Sequence, residues 1–356
     1  MKKMFLILSI LTLSFDAFSW GSRGHATICE AAVYLVKNKN LLEYLKNKPQ
    51  MMGHLCNIPD IYWKSLTGDA RKYGDSAHFI DIEITGLKVN DLSIDLKKIE
   101  SDFTGKPNKF QEGATIFSIP EELGTLWWRA DQFYRLASDE GKKLKGLEAP
   151  KNSAEEQNNE LPYNKAFYNM IVNMGLMGHF VGDASQPLHN TQDYDGFYSG
   201  HGGIHAFYED TCVAQLGPDL LTKIIAKAKN FKQPSFLKPK TPVEKMKALS
   251  TLSSNSLKLV FKNDPILKPS ETKNDKGMTI KTAATRKPAN IGCKRFENGF
   301  IEQMAWSSSL LANLWDELYK VAGEPPMKAY KSYRYPLTVD FVMPDYFEIK
   351  SEPLKK

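Results

Sequence analysis

The sequence predicts a mainly α protein, a single helical domain with few strands. Three stretches carry that reading. Residues 122–144, ELGTLWWRADQFYRLASDEGKKL, have the pattern of a strong amphipathic helix. Between residues 165 and 184, Phe167, Met170, Ile171, Met174, Met177 and Val181 recur at intervals of one, three and four, the spacing of one helix face. Residues 297–322, ENGFIEQMAWSSSLLANLWDELYKVA, read as a long final helix.

The other elements follow in order. Residues 26–46 read as a helix, with Ala31, Val33, Leu35, Leu42 and Leu45 apolar among lysines. HFIDIEITGLKV (78–89) is β-prone and short, and fits either a strand or an extended loop. Residues 103–120 hold Gly, Pro and Asn and predict a loop excursion. EAPKNSAEEQNNELPYN (148–164) reads as a polar linker. Helices are expected at 218–229 and 242–262, and a Lys- and Pro-rich surface loop at 263–294. Residues 323–356 form a tail with several prolines and aromatics, to be read as an extended strap or a disordered end.

The N-terminus has its own logic. Lys2 and Lys3 precede an almost wholly apolar run, Met4 to Phe15. Ala17 and Ser19 then put small residues at the two positions a signal peptidase reads. Residues 1–19 therefore read as a secretory signal, and the expected product is exported with Trp20 as its first residue. A membrane anchor is the competing reading, but the apolar run is short for a span. The formal charge of +6 is mildly basic and suits an anionic substrate without specifying nucleic acid. Cys29, Cys56, Cys212 and Cys293 allow three disulfide pairings, and their wide spacing without CxxC argues against a thiolate zinc site.

The chemistry concentrates in the histidines. GHFVGDASQPLHNTQDYDGFYSGHGGIHAFYED (178–210) holds His179 and Asp183 at i and i+4, then His189, then His205 and Glu209 again at i and i+4. An i/i+4 pair puts two side chains on one helix face. Zinc takes imidazole nitrogen and carboxylate oxygen at about 2.0–2.2 Å, so two such pairs flanking a histidine can build parts of two metal sites. A free Trp20 amine with its own carbonyl can chelate a metal, and His25 can reach the same ion. IPDIYWK adds Asp60, and DSAHFIDIE adds His78.

With these residues the chain resembles the phospholipase C / nuclease-P-one superfamily of tri-zinc phosphodiesterases, and within it the secreted single-strand-specific nucleases. The resemblance covers residues 20–210 and, more weakly, the final helix. It implies a mostly helical domain over 20–322 with three Zn2+ in a cleft. Trp20 and His25 would hold one ion. Asp60, His78 and His179 would hold a second, with Asp183 bridging the two, and His189, His205 and Glu209 would hold the third. His201 rivals His205, but GGIH followed by YE favours His205; His54 has no role. The Trp20–His25 spacing matches the nucleases, whereas Glu209 follows the phospholipase pattern.

The resemblance also implies a mechanism. Asp60, besides binding metal, would orient the attacking water as the catalytic residue, and P–O3′ cleavage would leave a 5′-phosphate. Phe79 would stack a base and Asp81 would bind its edge, with packing in the core as the plain alternative for Phe79. By its position, Lys64, one turn past Asp60, can meet the phosphate as a point charge, with an ordinary exposed surface lysine as the plain alternative. Trp127 and Trp128 read as packing, and the lysines of 222–289 as a solvated face. The implied substrate is single-stranded nucleic acid, with no stable protein partner and a monomeric state. A zinc-dependent phospholipase C uses the same ligands and is the first alternative; a non-enzymatic zinc-binding periplasmic protein is the second.

Overall fold

The apolar repeat at 165–184 belongs to the helix Pro162–Ser185, the spine of the molecule. It is seen in a computed structural model that describes residues 20–275, 278–325 and 338–348. Pro162 opens the helix, where a missing N–H costs nothing. From Met174 to Ser185 every residue is buried, so neighbours cover this half on all sides. They are the helices Leu126–Leu144, Pro49–Ile61, Glu297–Val321, Pro242–Asn255 and Gly21–Val33. Gly175, Gly178 and Gly182 make the approach possible. A Cβ at these positions would lie 2.4 Å from Leu55, 2.3 Å from the Cys29 sulfur and 2.8 Å from the His25 ring.

The structure is mainly helical, and the three predicted long helices are present as Leu126–Leu144, Pro162–Ser185 and Glu297–Val321. The first starts later than its pattern, because Gly124 at φ 87° breaks it from the short turn Ile119–Glu122. Trp127 and Trp128 are packing residues, as expected: Nε1 of Trp127 donates to Ser250 Oγ at 2.8 Å, and Nε1 of Trp128 to the Ile94 carbonyl at 2.9 Å.

Several expectations need correction. The helix expected at 26–46 is two, Gly21–Val33 and Lys39–Leu45. Asn38 caps the second, accepting from the amides of Asn40 and Leu41, while the Asp316 carboxylate takes the amides of Lys37 and Asn38. Of the two readings open for residues 78–89, the structure has the extended segment, broken by short 3₁₀ turns. Its amides go to two different segments, Ile80 to the His189 carbonyl and Asp81 to the Leu123 carbonyl, so no ladder forms. The helix expected at 242–262 is also two, Pro242–Asn255 and Leu257–Asn263. The loop expected at 263–294 contains two antiparallel hairpins, Ile266–Lys268 with Thr285–Arg286 and Glu271–Asp275 with Met278–Thr282. The linker at 148–164 is ordered around the turn Ser153–Glu156, whose carbonyls Asn164 ties down.

The described part of the tail, 338–348, is a strap. The Val339 carbonyl accepts from Trp63 Nε1 at 2.8 Å, the Met343 carbonyl accepts from Gln132 Nε2 at 2.7 Å, and Asp345 pairs with Arg135. Residues 1–19, with the expected signal, lie outside the described residues. The disulfides are Cys29–Cys56 and Cys212–Cys293. They fit an oxidising compartment. Among the described residues no helix is long and apolar enough to cross a membrane.

Gly124 packs the start of the helix Leu126–Leu144 against the segment that carries Phe79. A Cβ there would lie 2.1 Å from the Phe79 carbonyl oxygen. Gly124→Ala is expected to cost about 2–4 kcal/mol, from left-handed strain and overpacking together. Thermal unfolding followed by circular dichroism measures it, and an unchanged midpoint would show that the contact yields.

Candidate metal centre

Five short stretches of chain converge at the C-terminal end of the spine. His25 comes from the helix Gly21–Val33, and Asp60 from the last turn of Pro49–Ile61. His78 ends the 3₁₀ turn Ser76–His78. The spine supplies His179 and Asp183, and the turn Pro187–Asn190, just after it, supplies His189. His205 lies in Ile204–Ala206, and Glu209 in the π-helical turn Phe207–Cys212 that continues it. Such π turns recur at functional sites because they re-aim one side chain.

The side chains assemble into three buried groups able to hold metal ions: His25, Asp60 and His179; His78, His179 and Asp183; and His189, His205 and Glu209. His78 Nδ1 lies 3.0 Å from His179 Nε2 and 3.0 Å from Asp183 Oδ2, and Asp60 Oδ1 is 3.7 Å from that nitrogen. On the other side His25 Nε2 lies 3.3 Å from Asp183 Oδ1 and 3.9 Å from Asp60 Oδ2. Both carboxylates thus present one oxygen to each side, where the sequence expected a bridge from Asp183 alone. In the third group His205 Nε2 lies 2.9 Å from Glu209 Oε2 and 3.0 Å from His189 Nε2.

The donor set fits a cation such as zinc. Donors around a tetrahedral ion at ~2.0–2.1 Å stand about 3.3–3.4 Å apart, close to these spacings. His25 Nδ1, Asp60 Oδ2 and Glu209 Oε1 are buried without a hydrogen bond within the protein. The tautomers are set from outside. His179 Nδ1–H donates to the Cys56 carbonyl at 2.8 Å, and His189 Nδ1–H to the His78 carbonyl at 2.6 Å, so both rings turn Nε2 inward.

Electrostatics agree. Burial pushes the Asp60 carboxyl up, but Lys64 and then His179, His78 and His25 outweigh it and hold it well below the usual range. Burial likewise opposes ionisation of Asp183, which is nonetheless held low by His179, His189, His25 and His78. Burial, reinforced by His25, pushes the His179 imidazole down to about 3, so it stays neutral, as a ligand must.

The remaining expected residues fall as follows. Trp20 is fully buried; its indole donates to the Gly182 carbonyl at 2.8 Å, one residue from Asp183, and its carbonyl accepts from the Gly24 amide. His201 turns away to Asp264, 2.9 Å distant, which leaves His205 as the member of the third group. His54 is half-buried near Tyr62. Lys64 pairs with Asp60 Oδ1 at 2.7 Å instead of standing ready in solvent.

A cleft of about 550 Å³ opens onto His78, His189 and His205 and is walled by Phe79, Asp81 and Lys64. Phe79 is half-buried there and not in the core. Asp81 is buried, its Oδ1 has no hydrogen bond, and burial, with Glu83 nearby, raises its pKa well above the usual range.

Two contributors escaped the sequence. Tyr194 lines the cleft with its ring 5.3 Å from that of His205. Gln186 caps the C-terminal end of the spine, and its amide donates to Glu209 Oε2 at 2.8 Å while its oxygen accepts from the Leu188 amide. No spacing signals either, because both act through the return of the chain after the spine. No protein-family model matches the chain, and no curated protein matches it either.

Gln186 gives a specific test. Gln186→Leu is expected to weaken zinc binding at the His189, His205 and Glu209 group by about 10–100-fold and to spare the other two. Competition with a coloured chelator measures it; equal affinity at all groups would assign Gln186 to packing.

Proposed function

We propose that this chain is an exported zinc-dependent phosphodiesterase of the phospholipase C / nuclease-P-one type. Its substrate is single-stranded DNA or RNA, and its products carry 5′-phosphates. One observation carries the reading: a single cleft brings His78, His189 and His205, members of two of the three metal-holding groups, together with a half-buried aromatic ring, Phe79, and a buried acid, Asp81. Phosphodiester hydrolysis needs the first, and an unpaired base fits the second and third.

When bound, zinc supplies Lewis acidity toward phosphate oxygens and lowers the pKa of water toward about 7. The protein's own residues do the rest. Asp60, anionic at neutral pH, accepts a hydrogen bond from the attacking water and orients it in line with the P–O3′ bond, while the water's proton leaves to solvent. Water oxygen joins phosphorus, P–O3′ breaks, and the departing 3′ oxygen takes a proton from solvent. Lys64 offsets the charge of Asp60. The Phe79 face stacks a base, and Asp81, buried with Oδ1 free of hydrogen bonds, binds the base edge. Stacking of this kind is worth about 1–3 kcal/mol per base and tolerates any sequence.

The phospholipase reading has one observation in its favour. Asp75, Glu121 and Glu122 also line the cleft and would suit a cationic headgroup. Each is already engaged. Asp75 holds Arg71 at 2.6 Å, Glu121 holds Lys72 at 3.0 Å, and Glu122 takes the amides of Phe117 and Ser118. That favours the nuclease.

Protein starting at Trp20 is assayed on single-stranded nucleic acid and on phosphatidylcholine micelles, with and without EDTA. Chelator-sensitive release of 5′-mononucleotides with no headgroup release is expected; the reverse pattern would make it a phospholipase. Asp60→Asn is expected to lower kcat/KM by about 10²–10⁴-fold. One residue added before Trp20 is expected to abolish activity if the amine is a ligand, and full activity would remove Trp20 from the set.

A further inference from the structure

Three helices meet at the Cys29–Cys56 disulfide, and each carries a metal-holding side chain within one turn of it. On Gly21–Val33, His25 is four residues before Cys29. On Pro49–Ile61, Asp60 is four residues after Cys56. On Pro162–Ser185, His179 directly follows Gly178, which faces both sulfurs with no room for a Cβ: that atom would lie 2.3 Å from one and 2.8 Å from the other. Residues four apart on a helix stack on one face, so the face that reaches the disulfide also delivers the ligand. Both cysteines are fully buried. The Cys56 carbonyl accepts from His179 Nδ1–H at 2.8 Å, and the rings of His25 and His179 stack with centroids 4.0 Å apart.

We infer that the Cys29–Cys56 disulfide is a positioning element of the metal centre. It sets the distance between His25 and Asp60 and, through the Cys56 carbonyl and the Gly178 contact, the tautomer and depth of His179. This rests on the reading of the three groups as zinc sites. His179 belongs to two of the three groups, so loss of the disulfide loosens both. The group of His189, His205 and Glu209 draws on none of these three side chains and is spared. The second disulfide, Cys212–Cys293, joins the π-helical turn to the 3₁₀ turn Cys293–Arg295, and neither cysteine is on the helices that carry His25, Asp60 and His179.

The test counts zinc by mass spectrometry in the purified protein, in C29A/C56A and in C212A/C293A, with circular dichroism as the check of folding. The parent is expected to hold three equivalents. C29A/C56A is expected to fall to one and to lose the hydrogen-bonded His179 Nδ1–H signal in 15N-histidine NMR. C212A/C293A is expected to keep the two equivalents that C29A/C56A loses. A folded C29A/C56A with three equivalents overturns the inference, as does loss of the same two equivalents from C212A/C293A. If C29A/C56A does not fold, the count is made on EDTA-treated parent reduced with dithiothreitol and reloaded with zinc, with reduction of Cys29 and Cys56 verified by alkylation. Retention of three equivalents there overturns it, and so does outright unfolding, which would make the bond a staple of the whole fold. A parent holding no zinc removes both this inference and the metal reading, whereas a zinc-loaded parent with no phosphodiesterase activity removes only the proposed function.

Discussion

Three ionised carboxylates, Asp60, Asp183 and Glu209, are buried among five imidazoles, and the rest of the structure answers to that constraint. Withdrawing a carboxylate from water costs several kcal/mol unless charge and hydrogen bonds replace the solvent. Burial is the largest influence on all three, yet all three are held below their ordinary pKa by neighbours. Compensation of that kind demands accurate placement. Donors on five separate stretches must be fixed to within a fraction of an ångström, and the fold can be understood as the means of doing so.

The spine does most of the placing. Its glycines let two helices approach closely enough to bring His25 and Asp60 against His179 and Asp183. Its end at Gln186 turns the chain so that His189 returns to the same pocket, where its ring donates to the His78 carbonyl. Behind the centre, Arg129 is fully buried, donates to Gln132, and lies between 4.8 and 5.7 Å from the rings of Phe133, Phe341, Trp63 and Phe180. Burial lowers its pKa to about 10, so it stays a cation and is stabilised by the faces of those rings. The strap at 338–348 contributes Phe341 to that cage and binds Trp63, three residues past Asp60. The tail therefore braces the Asp60-bearing end of a helix from outside.

The third group is built differently. It sits on a loop and a π-helical turn, held by a disulfide and by an ion pair between Arg286 and the buried Asp264. Arg286 also donates to the carbonyls of His201 and Gly202, just before His205. One group wholly on packed helices, a second that adds His78 from a 3₁₀ turn and a third on a clamped loop give a centre with a buried side and a side, at His78, His189 and His205, that faces the cleft.

Helix existence was legible in the sequence, because apolar side chains at helical spacing must be buried together wherever the helix packs. The ligand types and their i/i+4 pairs were legible too, since Asp183 and Glu209 stand one turn from His179 and His205 by helix geometry alone. Breaks were not. Asn38 and Gly124 interrupt their patterns because of contacts with Asp316 and Phe79, which are distant in the chain. The segment at 78–89 has the residues of a strand but finds no partner strand, only the carbonyls of His189 and Leu123. The pairing of four cysteines, the engagement of Lys64 by Asp60, the role of Gln186 and the double contact of Asp60 all depend on which helices meet. Local chemistry is written in the order of residues. Distances between remote residues are set by packing, which here closes three helices on one disulfide.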